Sequence, residues 1–192
     1  MAKNAPGRFV SRGGEKLDAA LAAFAIDVQA KTCADFGSHV GGFVDCLLQR
    51  GAAKVYAIDP GYGVLAYSLR RDQRVVVCER TNALDYRAAE PVDLVTLDVG
   101  WTPQRLILPV AARCLKSAGT APLGVVSLVK PHYESPPEWL DAGVVRPDRL
   151  DEVLAQCEAE VREMGWRIAG RIESPITGHG GNREWLWWLQ KS

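Results

Sequence analysis

The sequence lacks any hydrophobic stretch that could cross a membrane. Apolar residues make up 47% of the 192 residues, but no apolar run approaches the roughly 18 residues that a membrane-spanning helix needs. The N-terminal residues, MAKNAPGRF, also lack the apolar centre of a secretion signal. We therefore expect a cytoplasmic protein without a membrane partner.

The sequence also lacks net charge, because 23 basic residues balance 23 acidic ones. A protein that binds nucleic acid over a broad surface usually carries an excess of lysine and arginine, which contact phosphates. The composition therefore disfavours a uniformly basic nucleic-acid binder. Local clusters remain at 8–16 and 70–74, and such clusters are most often a solvated face.

Cysteines are few and show no pattern typical of disulfides or metal ligands. There are five, an odd number, they are widely spaced, and most lie in apolar segments. The three histidines are scattered in predicted loops. We predict reduced core thiols and no metal site.

The sequence does contain one strand, glycine turn, helix and strand unit between residues 31 and 59. Its predicted elements are two strands and the helix between them, Lys31–Phe36, Lys54–Ile58 and Gly41–Arg50. Parallel strands joined by a helix cross over right-handedly, so the glycine turn and Asp59 should lie at the carboxyl edge of the sheet. Open α/β sheets bind ligands at that edge.

The glycines of this turn do not fit a dinucleotide site. The dinucleotide fingerprint is G-x-G-x-x-G, whereas here three other residues separate Gly37 from Gly41 and Gly42. Asp35 would repel a pyrophosphate but can pair with an ammonium group, and Asp59 suits the hydroxyls of a ribose. S-adenosylmethionine has both groups and is the predicted cofactor. In the simpler alternative, the glycines only allow a tight turn and close helix packing.

Predicted strands and helices alternate along the rest of the chain, which indicates a doubly wound, mostly parallel, seven-stranded α/β sheet. The last two strands, Trp166–Glu173 and Glu184–Gln190, are joined by a segment too short for a crossover helix, so the last strand should be antiparallel. Three further elements are predicted: a short helix Tyr62–Arg70, a helix Thr102–Leu115 kinked at Pro109, and a long functional loop His132–Val145.

Three charged residues are expected to meet at the ligand edge. Parallel strands present their last residues there, and an antiparallel strand presents its first. Asp98 and Lys130 end predicted parallel strands, and Glu184 begins the antiparallel one. Each alone could be a surface ion pair or a strand boundary, but their joint occurrence favours a site.

Seven phrases in a fixed order cover almost the whole chain. They are FVSRGGEKLDAAL, GGFVDCLLQRGAAKVYAIDPGYG, VVVCERTN, VDLVTLDV, SLVKP, GVVR and SPITGHGGNREWLWWL. In these phrases the chain resembles the FtsJ-like ribose 2′-O-methyltransferases, most closely their TlyA (haemolysin A) branch. The resemblance implies a Rossmann-like class I methyltransferase that uses S-adenosyl-L-methionine and methylates RNA, in particular ribosomal RNA.

The resemblance also implies the site residues. The family has a Lys-Asp-Lys-Glu catalytic tetrad, which the matching phrases place at Lys16, Asp98, Lys130 and Glu184. For the cofactor it implies residues at the methionine end, the ribose, the adenine and the methyl group: Asp35, Gly37, Ser38, His39, Gly41, Gly42 and Phe43, then Asp59, then Thr81 and Asn82, and again Asp98.

The chain departs from the family at several places. The TlyA branch usually begins with a small RNA-binding domain, whereas about ten residues precede the SRGG phrase here. We expect residues 1–10 to be a flexible arm and 11–192 to form a single methyltransferase domain that lacks the RNA-binding domain. Three substitutions put RNA identity and docking in doubt: His39-Val40 for Ser-Thr, Gly100-Trp101 for Ser-Phe, and Pro136-Pro137 with Trp139 for a Gly- and Lys-rich loop.

A ribose hydroxyl is a weak acid, so the implied reaction needs alignment and a proton acceptor. A neutral lysine can serve, but lowering its pKa from 10.4 to about 7.5 requires about 4 kcal/mol. Our hypothesis is that Lys130 is the base and that Lys16 depresses its pKa and holds the ribose or a phosphate. Glu184 would orient a lysine, and Asp98 would link Lys130 to the methyl donor. Because carboxylates favour charged lysines, the balance stays open.

Two other functions remain open: a methyltransferase for a small hydroxylated molecule, favoured by the neutral charge, and a non-catalytic cofactor-binding relative. The tetrad opposes the second, and the absence of a long apolar or cationic amphipathic segment opposes membrane lysis. Trp101 and Trp139 are predicted to lie beside the site and to contact a nucleoside. Trp185, Trp187 and Trp188 are predicted to pack in the core. No oligomeric state is predicted.

Overall fold

A seven-stranded sheet forms the centre of the computed structural model, which describes residues 7–117 and 123–191, of His179 only the backbone. Its strands are β1 (Thr32–Phe36), β2 (Lys54–Ile58), β3 (Val75–Cys78), β4 (Leu94–Leu97), β5 (Gly124–Val129), β8 (Trp166–Glu173) and β9 (Trp185–Lys191). A small hairpin contains β6 (Leu140–Asp141) and β7 (Val144–Val145).

The order of the strands in the sheet is β3-β2-β1-β4-β5-β9-β8. The first five strands pair in parallel, and β9 pairs antiparallel with both β5 and β8. The predicted doubly wound sheet with an antiparallel last strand is therefore confirmed. The last strand returns between its neighbours because the Gly- and Pro-rich connection after β8 is too short to cross the sheet.

Helices cover both faces of the sheet. They are α1 (Gly13–Ala23), α2 (Gly42–Gln49), α3 (Tyr67–Arg70), α4 (Gln104–Cys114), α5 (Pro131–Glu134) and α6 (Leu150–Glu163). Leu17 and Leu47, on α1 and α2, pack in the core cluster on one face, and Ile107 and Val161, on α4 and α6, pack in the cluster on the other. The clusters shield both sheet faces from water, as a parallel sheet requires.

The tryptophans of β9 alternate between the two faces, as a strand dictates. Trp187 is 1% exposed in the cluster that includes α4 and α6, and Trp185 packs against the same cluster. Trp188 packs against the opposite cluster and stacks on Phe24 with ring centroids 6.2 Å apart. The prediction that these three side chains pack in the core agrees with the structure.

The helix predicted over Tyr62–Arg70 is much shorter in the structure, where α3 begins only at Tyr67. Gly63 has a φ of 72°, which a right-handed helix does not allow, and the Ala66 backbone N–H donates to Val40 O at 3.0 Å. The segment before α3 is therefore a turn tied to the glycine loop after β1.

The helix predicted over Thr102–Leu115 is confirmed apart from its ends, because α4 runs from Gln104 to Cys114. Pro103 immediately precedes its first residue, and Pro109 lies inside the helix without ending it. Proline at this interior position removes one backbone donor but does not break the element.

The prediction of a long loop over His132–Val145 is wrong, because this segment contains secondary structure. It contains most of α5, a turn of 3₁₀ helix at Pro137–Trp139 and the β6–β7 hairpin. Trp139 and Val145 pack there with Leu150 of α6 in a small apolar cluster. Hydrophobic burial thus orders this segment against α6.

The arm predicted over residues 1–10 is only partly within the described residues, and the part that is visible is packed. Phe9 is buried at 8% exposure in the core cluster of α1 and α2. The Val10 backbone N–H donates to Asp45 on α2 at 2.8 Å, and Arg8 pairs with Asp18 on α1 at 2.6 Å. A loose arm therefore does not describe residues 8–10.

Candidate active site

Two adjoining clefts open at the carboxyl edge of the sheet, formed by the ends of β1, β2, β4 and β5 and the start of β9. The first, called here the tetrad cleft, is lined by Lys16, Asp98, Lys130 and Glu184 together with residues of the glycine turn. The second, called the Asp59 cleft, shares Gly37, His39, Asp98 and Lys130 with it. One ligand can therefore extend through both.

The glycine pairs of the sequence bring α1 to this edge. A side chain at Gly42 would overlap Ser11 Oγ and lie 2.8 Å from the Gly14 backbone nitrogen, so the N-termini of α1 and α2 are in direct contact. A side chain at Gly14 would overlap Phe9. Only glycines allow this approach, which places Lys16, in the first turn of α1, at the tetrad cleft.

The four side chains implied as the tetrad form two ion pairs. Lys16 Nζ lies 2.5 Å from Glu184 Oε2, and Lys130 Nζ lies 2.6 Å from Asp98 Oδ1. Lys130 also donates to Val99 O at 3.2 Å. The structure thus brings all four together, and each lysine contacts a carboxylate rather than the other lysine.

Asp35, the carboxylate inside β1, is only partly satisfied. Thr96 of β4 donates its hydroxyl to Asp35 Oδ1 at 2.6 Å, whereas Oδ2 is buried without a hydrogen-bond partner among the described residues. Burial raises the pKa of Asp35 to about 8; the Thr96 hydrogen bond opposes that rise, and the charges of Asp98 and Asp59 add to it. A cationic group of a ligand would satisfy the second oxygen.

Asp59 fixes the turn between the two clefts. Its carboxylate accepts the backbone N–H groups of His39 at 2.8 Å and Gly61 at 2.7 Å. Gly37, at the start of the same turn, has a φ of 85°, and a side chain there would overlap Asp98 O. The turn is thereby fixed against the Asp98 backbone, with lone pairs of Asp59 left for a ligand.

Most residues implied for cofactor binding line the two clefts. Those of the tetrad cleft are Asp35, Gly37, Ser38, His39, Gly42, Phe43 and Asp98. Those of the Asp59 cleft include Asp59 and Asn82.

Two implied cofactor residues, Gly41 and Thr81, line neither cleft. A side chain at Gly41 would overlap Leu69 of α3, so this glycine allows helix packing. The Thr81 hydroxyl donates back to Glu79 O at 3.0 Å. Cofactor contact at these two positions stays a prediction.

Sequence reasoning missed several residues of the tetrad cleft. Ser11, Arg12, His132 and Tyr133 line it, as does the turn 176–178 between β8 and β9. Each of the four lies close in sequence to a predicted site residue: Ser11 and Arg12 precede Lys16 within the SRGG phrase, and His132 and Tyr133 lie two and three residues after Lys130.

Aromatic side chains continue outward from Lys130. Its Nζ lies 5.8 Å from the centroid of the Tyr133 ring, which lies 4.9 Å from that of Trp101 and 4.1 Å from that of His132. Burial, and secondarily the Lys130 charge, lowers the pKa of His132 to about 4, so this imidazole is neutral at pH 7. Trp101 lines the Asp59 cleft and is 87% exposed.

Trp139, the second tryptophan predicted to contact a nucleoside, does not line either cleft. It belongs to the small apolar cluster on α6, with Arg149 over its ring at 5.2 Å. That prediction is wrong because the segment around Trp139 folds back onto α6.

A family model described as FtsJ-like methyltransferase matches residues 9–191. The chain belongs to the FtsJ-like methyltransferase family. The family resemblance stated from the seven phrases is thereby confirmed. This FtsJ-like chain is 42% identical over 193 residues to YqxC of Bacillus subtilis, whose name marks it provisionally as an rRNA methyltransferase; the match covers 96% of this chain and 66% of YqxC.

Two further relatives support the same placement. The chain is 42% identical over 191 residues to the 16S/23S rRNA (cytidine-2′-O)-methyltransferase TlyA of Mycobacterium tuberculosis, covering 95% of this chain and 68% of TlyA. A solved structure from Streptococcus thermophilus, which carries a provisional hemolysin name, aligns with a TM-score of 0.90 at 36% identity and covers 99% of this chain and 70% of that one. The FtsJ-like chain thus spans about two thirds of the length of these relatives.

Within the described residues, no helix is long and apolar enough to cross a bilayer. The same residues contain no group of three or more His, Cys, Asp and Glu side chains that could hold a metal ion.

Proposed function

We propose that the protein is an S-adenosylmethionine-dependent methyltransferase that modifies a ribose 2′-hydroxyl of RNA, with cytoplasmic ribosomal RNA as its substrate. The observation that carries this proposal is the convergence of two lysine–carboxylate pairs on a cleft that also contains the unpaired Asp35 oxygen. The relatives' names add the substrate class, since one of them is a 16S/23S rRNA (cytidine-2′-O)-methyltransferase.

The residues present fit S-adenosylmethionine. Asp35 Oδ2 is buried without a donor from the described part of the chain, as a site for an ammonium group would be before binding. Gly37 allows the glycine turn to pack directly against the Asp98 backbone, and Asp59 and Asn82 line the far part of the clefts, where they suit a ribose and an adenine. When bound there, the cofactor supplies an electrophilic methyl group on a sulfonium.

Lys130 is the proposed proton acceptor or orienting group for the ribose hydroxyl. Its amine is held by Asp98 Oδ1 and Val99 O at the junction of the two clefts, so it is fixed beside the expected position of the methyl group. A fixed amine orients a hydroxyl for in-line attack, and it accepts the proton only when it is neutral.

Lys16 is proposed to hold the ribose or an adjacent phosphate. Its amine is oriented by Glu184, which is 4% exposed and lies under the turn after β8. A side chain at Gly178 would overlap the Glu184 carboxylate, so the turn closes over this acid and fixes it. A pre-oriented cation loses little freedom when it binds an anion.

Trp101 is the proposed contact for the substrate base. It is 87% exposed beside the Asp59 cleft, and its φ of 56° lies in the left-handed region, which residues other than glycine rarely adopt. An exposed indole that contacts Tyr133 with its ring tilted by 37° offers a face on which an unpaired base can stack.

The proposed function is tested with the purified chain, S-adenosylmethionine labelled in its methyl group, and ribosomal RNA separated into its species. The expected result is label in one RNA species, recovered after digestion as a 2′-O-methylated nucleoside. A reaction without the protein provides the blank, and the Lys130→Ala variant should incorporate far less label than the wild type. Label on a base, or label on small hydroxylated molecules but not on RNA, would contradict the proposal and support the small-molecule alternative. Cofactor binding without transfer to any acceptor would support the non-catalytic alternative.

A further inference from the structure

Two segments must keep a fixed relation for the tetrad cleft to work. One follows β4 and contains Asp98 and Trp101; the other follows β5 and contains Lys130 and Tyr133. They touch through the Lys130–Asp98 ion pair at 2.6 Å and through the Trp101 and Tyr133 rings, whose centroids are 4.9 Å apart. Both of these contacts are partly open to solvent.

A third contact between the same segments is more deeply placed. Glu134, the last residue of α5, accepts the Gln104 backbone N–H at 3.0 Å. Gln104 is the first residue of α4, and Pro103 before it provides no side-chain cap. Glu134 therefore caps an 11-residue helix from a different segment.

The start of α4 is also tied to the sheet. The Ser127 hydroxyl of β5 donates to Gln104 Oε1 at 2.8 Å, and Gln104 is 3% exposed. Because β5 leads directly into Lys130 and α5, a network of two hydrogen bonds joins the α4 N-terminus to the Lys130 segment. The turn 98–103 is thus anchored at its far end by Gln104.

We propose that Glu134 is a positioning residue that caps α4 from α5 and thereby holds Asp98 and Trp101 in register with Lys130 and Tyr133. The inference rests on the proposed methyl transfer for its kinetic consequences. Its structural consequence, an ordered 98–105 segment, does not depend on that function. A carboxylate suits the cap because the helix N-terminus attracts negative charge.

The electrostatic surroundings make this cap sensitive to pH. Burial raises the pKa of Glu134 to about 7; its hydrogen bond from Gln104 opposes that rise, as does the Arg105 charge, and Glu160 adds to it. The carboxylate is charged above about pH 7 and neutral below it. The charged side chain caps the helix more strongly than the neutral one, so the cap weakens as pH falls. The titratable or charged groups that interact with it come from α6 and α4, and they are Cys157, Glu160 and Arg105.

Two variants separate the cap from its charge. In Glu134→Gln the side-chain carbonyl can still accept the Gln104 N–H but cannot ionise, whereas Glu134→Ala removes the acceptor. We expect Glu134→Gln to lower kcat about threefold near pH 8 and to match the wild type near pH 6. We expect Glu134→Ala to lower kcat about tenfold or more at both pH values, with KM for the cofactor nearly unchanged.

Asp93→Asn is the matched control. Like Glu134, Asp93 accepts a backbone N–H, in this case from Thr32 at 2.9 Å, but it is more deeply buried and lies at the opposite edge of the sheet. It should leave kcat and its pH profile unchanged. In a double-mutant cycle, Glu134→Ala and Trp101→Ala should be less than additive in kcat/KM for RNA, because Glu134→Ala already displaces the turn that contains Trp101.

Hydrogen exchange gives a readout that does not need activity. Amides of 98–105 should exchange faster in Glu134→Ala than in the wild type, after correction for intrinsic rates, and should not change in Asp93→Asn. Unchanged exchange there, full kcat in Glu134→Ala, or a wild-type pH step retained in Glu134→Gln would each overturn the inference. If the wild type methylates no RNA, the proposed function fails, and the exchange result alone still decides the role of Glu134.

Discussion

The buried aspartates at the two edges of the sheet differ in their hydrogen bonding and in the direction of their pKa shifts. At the amino edge, Asp93 pairs with Lys116 at 2.8 Å and accepts the Thr32 N–H; burial alone would raise its pKa, but these hydrogen bonds outweigh burial and lower it. At the carboxyl edge, Asp35 on the adjacent strand has one donor, Thr96, and burial raises its pKa to about 8. The amino edge satisfies its own charges, while the carboxyl edge leaves an acid to be satisfied by a ligand.

The lysines of the two edges should give the largest contrast. Lys130→Ala should lower methyl transfer about 10²- to 10⁴-fold, because it removes the amine proposed to orient the ribose hydroxyl or to accept its proton. Cofactor affinity should change little. Lys116→Ala removes a lysine that also pairs with an aspartate and should keep near-normal kcat. Single-turnover transfer and cofactor titration measure the two quantities.

The Lys130→Ala result also separates the two roles of the lysine. A residual activity that changes with pH indicates that alignment by the rest of the site dominates. Complete loss with unchanged cofactor binding favours the base role. Equal losses in Lys130→Ala and Lys116→Ala would show that the comparison between the edges is mistaken.

Substitution of the aspartates should give the next largest effect. For Asp35→Asn, cofactor binding should weaken while the stability of the fold relative to the wild type should improve as pH rises. Asp35→Asn keeps an acceptor for Thr96 but loses the charge proposed to pair with the cofactor's ammonium, so affinity should fall about 100-fold. Because burial raises the folded-state pKa of Asp35 far above its unfolded value, its ionisation destabilises the fold as pH rises. The stability of Asp35→Asn relative to the wild type should therefore improve from about pH 5 to pH 8.

Asp93→Asn should behave in the opposite way. The lowered pKa of Asp93 means that its charge stabilises the fold above its unfolded pKa, so the variant should unfold at a lower temperature near neutral pH. Its cofactor affinity should stay within about twofold of the wild type. Calorimetric titration and thermal unfolding over a pH series measure both. Loss of cofactor binding in Asp93→Asn would contradict the contrast.

Much of the fold could be predicted because strand and helix periods are local properties. The strand Trp166–Glu173 was placed at its observed ends, and the antiparallel last strand followed from a connection too short to cross the sheet. Other predictions failed where tertiary contacts decide. Trp139 packs against α6, and Phe9 is buried against α1, although neither neighbouring segment shows a regular pattern.

The site was predictable to the extent that strand ends determine it. Asp98 and Lys130 follow parallel strands, and topology alone brings them together. The structural roles of individual glycines were harder to predict from the sequence. Gly37 lines the cleft, whereas the absence of a side chain at Gly41 leaves room for Leu69. Only the packing of α3 distinguishes the two glycines. The cap from Glu134 to α4 joins residues 30 apart in sequence, so no local pattern shows it.

The pH dependence of cofactor binding should give a smaller effect than removing Asp35. The pKa of Asp35, about 8, should fall when an ammonium group binds beside it, so binding near pH 7 should release a proton. Affinity should be full above about pH 8 and should fall by up to about tenfold per pH unit below it. Calorimetry in two buffers of different ionisation enthalpy detects the proton. Asp35→Asn should lose this release, and an equal release in that variant would assign the proton to another group.

The smallest predicted effect extends the same contrast to the two tryptophans. Trp101 is 87% exposed at the carboxyl edge, whereas Trp139 packs in a closed apolar cluster with Val145 and Leu150. Trp101→Ala should raise KM for RNA about fivefold through the loss of roughly 1 kcal/mol of base stacking. Thermal stability and cofactor affinity should not change, because the indole contributes little to the packed core.

Trp139→Ala should show the reverse, a lower unfolding temperature from a cavity in the cluster with KM for RNA unchanged in the folded fraction. Trp101→Phe should keep most of the RNA affinity that Trp101→Ala loses, since a smaller ring still stacks. If Trp101→Ala instead destabilised the fold as Trp139→Ala does, the exposed indole would be part of the structure. The carboxyl edge would then present no open aromatic face to a substrate.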